Sequence, residues 1–186
     1  FANSVAVDWS DGSLAITGAF VSGASLRFGS NSSGLTNTQL DLITINGSSG
    51  PFSLNASGYL VQPYDIWKAQ ITNGLNQRGD DADGDGFTNL QEYLFGTSPV
   101  AGTGTLTSAA MQNGDLVLKW LQRDKGAAYS LWQSTNLQAG SWTAVPSPAP
   151  APDADQSGVP SGYIRHTVSL PVTAGPRFYQ IKATEN

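Results

Sequence analysis

The chain contains no cysteine and, in 186 residues, one histidine, one methionine and 9 lysines and arginines together. Without cysteine there can be no disulfide, no thiol nucleophile and no thiolate-bound zinc, though any compartment remains open. The basic residues never cluster, and the formal charge is −5. A row of phosphates would find nothing to neutralise it, so no nucleic-acid partner is expected. No apolar run approaches the roughly 18 residues that a membrane-spanning helix needs. Glutamate is nearly absent too: Glu92 and Glu185 stand against twelve aspartates, a balance that disfavours helices. No charged-then-apolar leader opens the chain. It begins at Phe1, not Met, as expected of a processed product or a piece of a longer protein.

What is abundant is small and polar. There are 21 glycines, 21 serines and 15 threonines, with 39% hydrophobic and 12% charged residues. That composition favours short strands and turns, and it has the look of an extracellular protein. A chain of this size has ample material for a core, since roughly 150 residues already bury about 68–70% of their unfolded surface.

Three segments follow from the patterning, which is mainly β. Residues 1–62 alternate in short stretches, at Val5-Val7-Trp9, Leu14-Ile16 and Leu26-Phe28, broken by turns such as Asp11-Gly12 and Asn46-Gly47. Short rungs of this kind predict a β-solenoid-like or small β-sandwich segment, with a helical stretch only near Thr36–Leu42. Residues 63–99 predict helix–loop–helix. Pro63 opens a first helix with Ile66, Trp67, Ile71 and Leu75 on its apolar face, and Leu90–Phe95 forms a second, ended by Gly96 and Pro99. Residues 100–186 predict an antiparallel β-sandwich with strands near 116–121, 129–133, 142–145, 163–170 and 178–181. The Pro-rich stretch 145–152 is expected to be an extended loop.

The chemistry concentrates in Asp81-Ala82-Asp83-Gly84-Asp85-Gly86-Phe87-Thr88-Asn89-Leu90-Gln91-Glu92. Counted from Asp81, carboxylates fall at loop positions 1, 3 and 5, and glycine at 6. Phe87 offers a backbone carbonyl at 7, Asn89 stands at 9, and Glu92 at 12 can bind through both oxygens. Calcium takes six to eight hard oxygen ligands, and alternate positions of a tight loop point such groups inward. Four aspartates within six residues would repel one another without a cation. A solvated Asp/Gly turn before a helix is the plain alternative, but it leaves the matched positions through Glu92 unexplained. The expected metal set is therefore Asp81, Asp83, Asp85, Phe87, Asn89 and Glu92, binding Ca2+. A single loop whose eighth position is Thr88 predicts a structural site and not a paired sensor.

These residues carry a resemblance. PYDIWKAQ at 63–70 with DADGDGFTNLQEYLFGTSP at 81–99 resembles the solitary EF-hand-like, dockerin or thrombospondin-type-3-like calcium segments of secreted bacterial surface proteins, with one loop where dockerins have two. Residues 25–61 are similar to the terminal part of autotransporter-associated β-strand repeat proteins. YSLWQSTNLQAGSW at 129–142 with RFYQIKA at 177–183 is similar to a C-terminal β-domain that follows such segments. The resemblance implies export, calcium and a β-solenoid ending near Val61.

Other side chains point less far. His166 lies in an alternating strand and is expected on its surface. Asp8 and Asp11 flank a turn and are expected to serve it. With one histidine and few free acids, no catalytic assembly stands out and no enzyme is expected. Trp120, Trp132 and Trp142 are candidates either for core or for a glycan-binding platform. An uncapped solenoid edge at the N-terminus, with Val5, Val7, Leu14, Ile16 and Phe20, suggests head-to-tail self-association. The expected function is a non-enzymatic extracellular structural, assembly or adhesion module in which calcium stiffens the joint between two β-regions. A carbohydrate-binding accessory module is the alternative.

Overall fold

Small-residue turns at short intervals leave room only for short strands in the first part of the chain, and longer ones form after residue 106. The computed structural model describes residues 4–102 and 104–185, so Phe1 lies outside the described residues. The chain is mainly β, with several antiparallel sheets, none of them closed. It divides into two compact units, residues 1–74 and Leu75–Glu185. That division falls inside the 63–99 segment, at the turn-forming Thr72-Asn73-Gly74, where Gly74 takes φ 87°.

The first unit contains β1 (Leu14–Ile16), α1 (Asn37–Asp41), β2 (Ile43–Ile45), β3 (Ser48–Ser49), β4 (Ser53–Leu54), β5 (Leu60–Val61) and α2 (Pro63–Trp67). β1 pairs in parallel with β2, with Leu14 opposite Ile43 and Ile16 opposite Ile45, while β2–β3 and β4–β5 are antiparallel. α1 lies where the helical stretch is expected, because Thr36 and Gln39 form a reciprocal capping box. The Gln39 amide also donates to the carbonyls of Ser4 and Val7, both at 2.8 Å. These bonds explain why Val5-Val7-Trp9, despite its alternation, makes turns and no strand. Val5 and Val7 are exposed, and Trp9 packs edge-on against Phe28. Phe28, Leu35, Leu40, Ile43, Ile45, Phe52, Leu54 and Leu60 form the core, with Leu14, Ile16 and Phe20 packed on it. Gly34 is required there, since a Cβ would stand 1.8 Å from the Phe28 carbonyl oxygen. α2 runs into a 3₁₀ turn at Lys68–Gln70 and stops, so the helix is shorter than its apolar pattern predicts.

The second unit opens with α3 (Asn89–Phe95), followed by β6 (Thr107–Gln112), β7 (Asp115–Arg123), β8 (Ala127–Ser134), β9 (Thr143–Ala144), β10 (Ala151–Pro152), β11 (Tyr163–Pro171) and β12 (Phe178–Glu185). Two sheets result, in the orders β10-β11-β7-β6 and β12-β8-β9, an arrangement consistent with a β-sandwich. The five expected strands are present. β6 adds a sixth, which lacks large apolar residues at alternate positions and is exposed throughout. It exists because Asn113-Gly114, both at positive φ, turn the chain back into a hairpin with β7. Within the Pro-rich stretch, β10 pairs with β11 at a sheet edge, the place where a proline's missing N–H is tolerated. Trp120 is in the core with Leu118, Leu131, Val168 and Leu170. Trp132 lies under the Lys182 ammonium, 3.8 Å from its ring centroid, and Trp142 is half-buried. His166 sits opposite Trp120 on β11, partly buried, and desolvation lowers its pKa below the ordinary imidazole value.

Candidate metal centre

The loop before α3 is shaped by its own carboxylates. Asp81 accepts from the N–H groups of Gly84 at 2.7 Å and Gly86 at 2.9 Å, one on each oxygen. Asp83 accepts from Asp85 N–H at 3.2 Å, and Asp85 accepts from Phe87 N–H at 3.0 Å. Each aspartate thus folds the chain two to five residues ahead of it. Gly86 takes φ 95°, a conformation other residues adopt only with strain, and so lets the chain reverse while its N–H points at Asp81. The outcome brings one oxygen each from Asp81, Asp83 and Asp85 within 4.8 Å of one another.

α3 carries the fourth carboxylate. Thr88 is its N-cap and shares a capping box with Gln91, and Gly96 closes it in the left-handed conformation. Glu92 follows one residue after Gln91 and is fully buried. Its pKa rises from 4.5 to about 7, first because burial penalises the charge and then because Asp83, Asp85 and Asp81 repel it. The Thr97 hydroxyl, 3.5 Å from Glu92 Oε1, offsets this only in part. Glu92 Oε2 and Asp83 Oδ2 are buried without a hydrogen-bond partner. A buried carboxylate oxygen with no donor is costly.

The structure therefore brings Asp81, Asp83 and Asp85 together and couples Glu92 to them electrostatically. Phe87 follows Gly86 in the loop, its N–H given to Asp85. Asn89 is fully buried and uses its amide N–H groups to hold the carbonyls of Leu75 and Gln77, both at 2.8 Å. Its Oδ1 is the third buried oxygen without a partner. The three clustered aspartates, with Glu92 coupled to them electrostatically and orphaned oxygens on Asp83, Glu92 and Asn89, make a donor set whose chemistry fits a divalent, oxygen-seeking cation, although the cluster within 4.8 Å comprises the aspartates without Glu92. Such an ion would supply the positive charge that the four carboxylates of the loop and α3 otherwise lack.

Several supporting residues are not visible in the sequence pattern. The Arg78 guanidinium pairs with Glu185 of β12 at 2.7 Å, tying the start of the loop to the last strand. Tyr163 donates its hydroxyl to the Tyr93 carbonyl at 2.6 Å, and Tyr129 donates to the Leu94 carbonyl. These are orphan carbonyls at the end of α3, satisfied from β11 and β8. Arg123 lies 4.0 Å over the Tyr93 ring. Only the spacing of aromatic residues along β8 and β11 hints at this, and it does not say which carbonyls they reach. Tyr163→Phe should cost about 1 kcal/mol in urea unfolding, the ordinary worth of one such bond. An unchanged midpoint would show that the bond does not hold α3.

A second concavity lies in the first unit, about 520 Å³ in volume, and includes Asp8, Trp9, Ser10, Asp11 and Ser13 in its lining. Asp8 accepts from Ser10 N–H at 2.8 Å, the turn role expected of it, and that bond lowers its pKa below the ordinary value. Both aspartates nevertheless face one cavity beside an indole.

Comparison of the chain with protein-family models, with curated proteins and with solved structures found no match.

Proposed function

We propose that this chain is a non-enzymatic structural module of the cell exterior whose second unit is stabilised by calcium. The observation that carries the reading is the Asp81-Asp83-Asp85 cluster, with the buried Glu92 coupled to it and unpartnered buried oxygens on Asp83, Glu92 and Asn89. Asp81, Asp83, Asp85, Asn89 and Glu92 would hold the ion with side-chain oxygens, and Phe87 with its carbonyl. The ion would neutralise their mutual repulsion and bind the loop to α3. Since α3 is bonded through its terminal carbonyls to β8 and β11, calcium stiffens the β-rich unit as a whole. Magnesium suits the site less well: it demands near-ideal octahedral geometry and keeps its waters, while a loop ending in a two-oxygen glutamate suits the larger ion.

Assembly through the N-terminal strands is the second part of the proposal. β1 is the terminal strand of its sheet and pairs in parallel with a strand 29 residues later, as a solenoid rung would. Val5 and Val7, in the segment before it, are 43% and 55% exposed, and Val7 lines one cavity with Leu14 of β1. A second copy adding a strand there would cover both the backbone edge and these valines. Light scattering in calcium should then return a molar mass at a multiple of 19.5 kDa. Val7→Asp should return the mass of one chain. A single-chain mass for the unmodified protein at high concentration would overturn self-association.

The alternative is a carbohydrate-binding module. It is favoured by the cavity of the first unit, where the indole of Trp9 offers a stacking face beside the acceptors Asp8 and Asp11 and the hydroxyls of Ser10 and Ser13.

A further inference from the structure

In the second unit the two sheets part along one side. β6 ends one sheet and β12 ends the other. The register puts Ala109 beside Leu118 and Met111 beside Leu116 on one sheet, and Ile181 beside Leu131 and Tyr179 beside Gln133 on the other. Between these faces lies a cavity of about 400 Å³, walled by Leu116 and Leu118 from β7, Tyr179 and Ile181 from β12, and the half-buried Trp142. That volume is in the range of small-molecule sites.

Its charge pattern is one-sided. Arg177 is the only charged residue in the lining, in a protein whose net charge is negative. Its guanidinium donates to Thr173 Oγ1 at 3.2 Å and to Gln133 Oε1 at 3.5 Å, contacts that hold it on the same face as Tyr179. Arg177 is solvent-exposed and these partners are neutral, so among the described residues no carboxylate pairs with the guanidinium. At the rim, Leu137 is held at φ 61° and is 55% exposed. A branched side chain in that conformation is strained, and such strain gathers at functional sites.

We propose that this inter-sheet cavity binds a small monocarboxylic acid with an aromatic or aliphatic body, the carboxylate on Arg177 and the body between Leu116, Leu118, Ile181 and Trp142. Two apolar walls with no acidic residue between them take an apolar body. A planar guanidinium at one end selects a carboxylate over a neutral polar group. The proposal is independent of calcium and of self-association, since every residue it uses lies outside the loop and the N-terminal strands.

The test is a titration with 3-phenylpropionate, and in parallel with 3-phenyl-1-propanol, followed by tryptophan fluorescence and calorimetry with calcium present. The acid should bind saturably at one site, about tenfold more tightly than the alcohol, the factor that 1.4 kcal/mol of carboxylate recognition gives. Arg177→Gln should bring the acid down to the alcohol's affinity and leave the alcohol unchanged. Ala109→Leu, at an exposed position on β6, should fill the cavity and weaken both, with an unchanged melting temperature showing that the fold persists. Equal affinity for acid and alcohol, binding indifferent to Ala109→Leu, or no saturable binding of either probe would overturn the proposal.

Discussion

Calcium at ten times its dissociation constant should stabilise the native chain by about 1.4 kcal/mol, and Glu92→Gln should abolish that gain. For a unit of this size the increment corresponds to roughly 5 °C in melting temperature. For the proposed site, an affinity in the roughly 10⁻⁴–10⁻³ M range of weak calcium modules makes about 10 mM calcium the working concentration. The variants separate a ligand from a merely structural acid. In chelator, Glu92→Gln should melt higher than the native protein at pH 8, because it removes a buried charge that Asp83, Asp85 and Asp81 repel. In calcium, the order should reverse. Asp83→Ala should likewise lose the calcium response, since it deletes the orphaned Oδ2. A glutamate that served only packing would leave the calcium increment intact in Glu92→Gln, and an increment unchanged in both variants would sink the assignment.

Acid should stabilise the cation-free protein, contrary to the usual behaviour of carboxylates. The pKa of Glu92 rises in the folded chain from 4.5 to about 7. Between those values the folded state binds the proton more tightly than the unfolded state does, so stability falls as pH rises through that window and is level above it. In chelator, the melting temperature should therefore be higher at pH 5.5 than at pH 8 by several degrees. His166 works in the opposite direction: with its pKa lowered by burial, charging it costs the folded state stability as pH falls below about 6.5. The difference between native protein and Glu92→Gln cancels that contribution and isolates Glu92. Calcium inverts the trend, because the proton and the ion compete for the same oxygens, so the calcium increment should be larger at pH 8 than at pH 5.5. A calcium increment independent of pH would place the ion away from Glu92.

The loop was the most legible part of the chain, for a local reason. Asp81, Asp83, Asp85 and Gly86 organise the backbone through hydrogen bonds spanning at most five residues, so their spacing already contains their geometry. The same holds for α3, where Thr88, Gln91 and Gly96 supply both caps, and for α1, where Thr36 and Gln39 do. Long alternating runs such as Leu116–Leu121 and Tyr163–Leu170 likewise announced β7 and β11 through side-chain period alone.

Pattern failed wherever a distant group decided the outcome. Val5-Val7-Trp9 alternates like a strand, yet the amide of Gln39, more than thirty positions away, takes the carbonyls of Ser4 and Val7. β6 has no hydrophobic alternation and exists because the Asn113-Gly114 turn lays it against β7. The apolar face beginning at Ile66 suggested a helix running on to Leu75, but the chain leaves helical geometry at Ile71 and crosses into the second unit. Composition and spacing by themselves determined the β class, the excluded chemistries and the carboxylates of the loop, because those depend on residue type and near neighbours. Tertiary structure alone decided that Glu92 and Asn89 are fully buried with unpartnered oxygens, that Tyr129 and Tyr163 hold the end of α3, and that Arg177 is the one charged residue lining an apolar cavity. Burial and partnership are properties of the residues that arrive from elsewhere in the chain, and no local pattern records them.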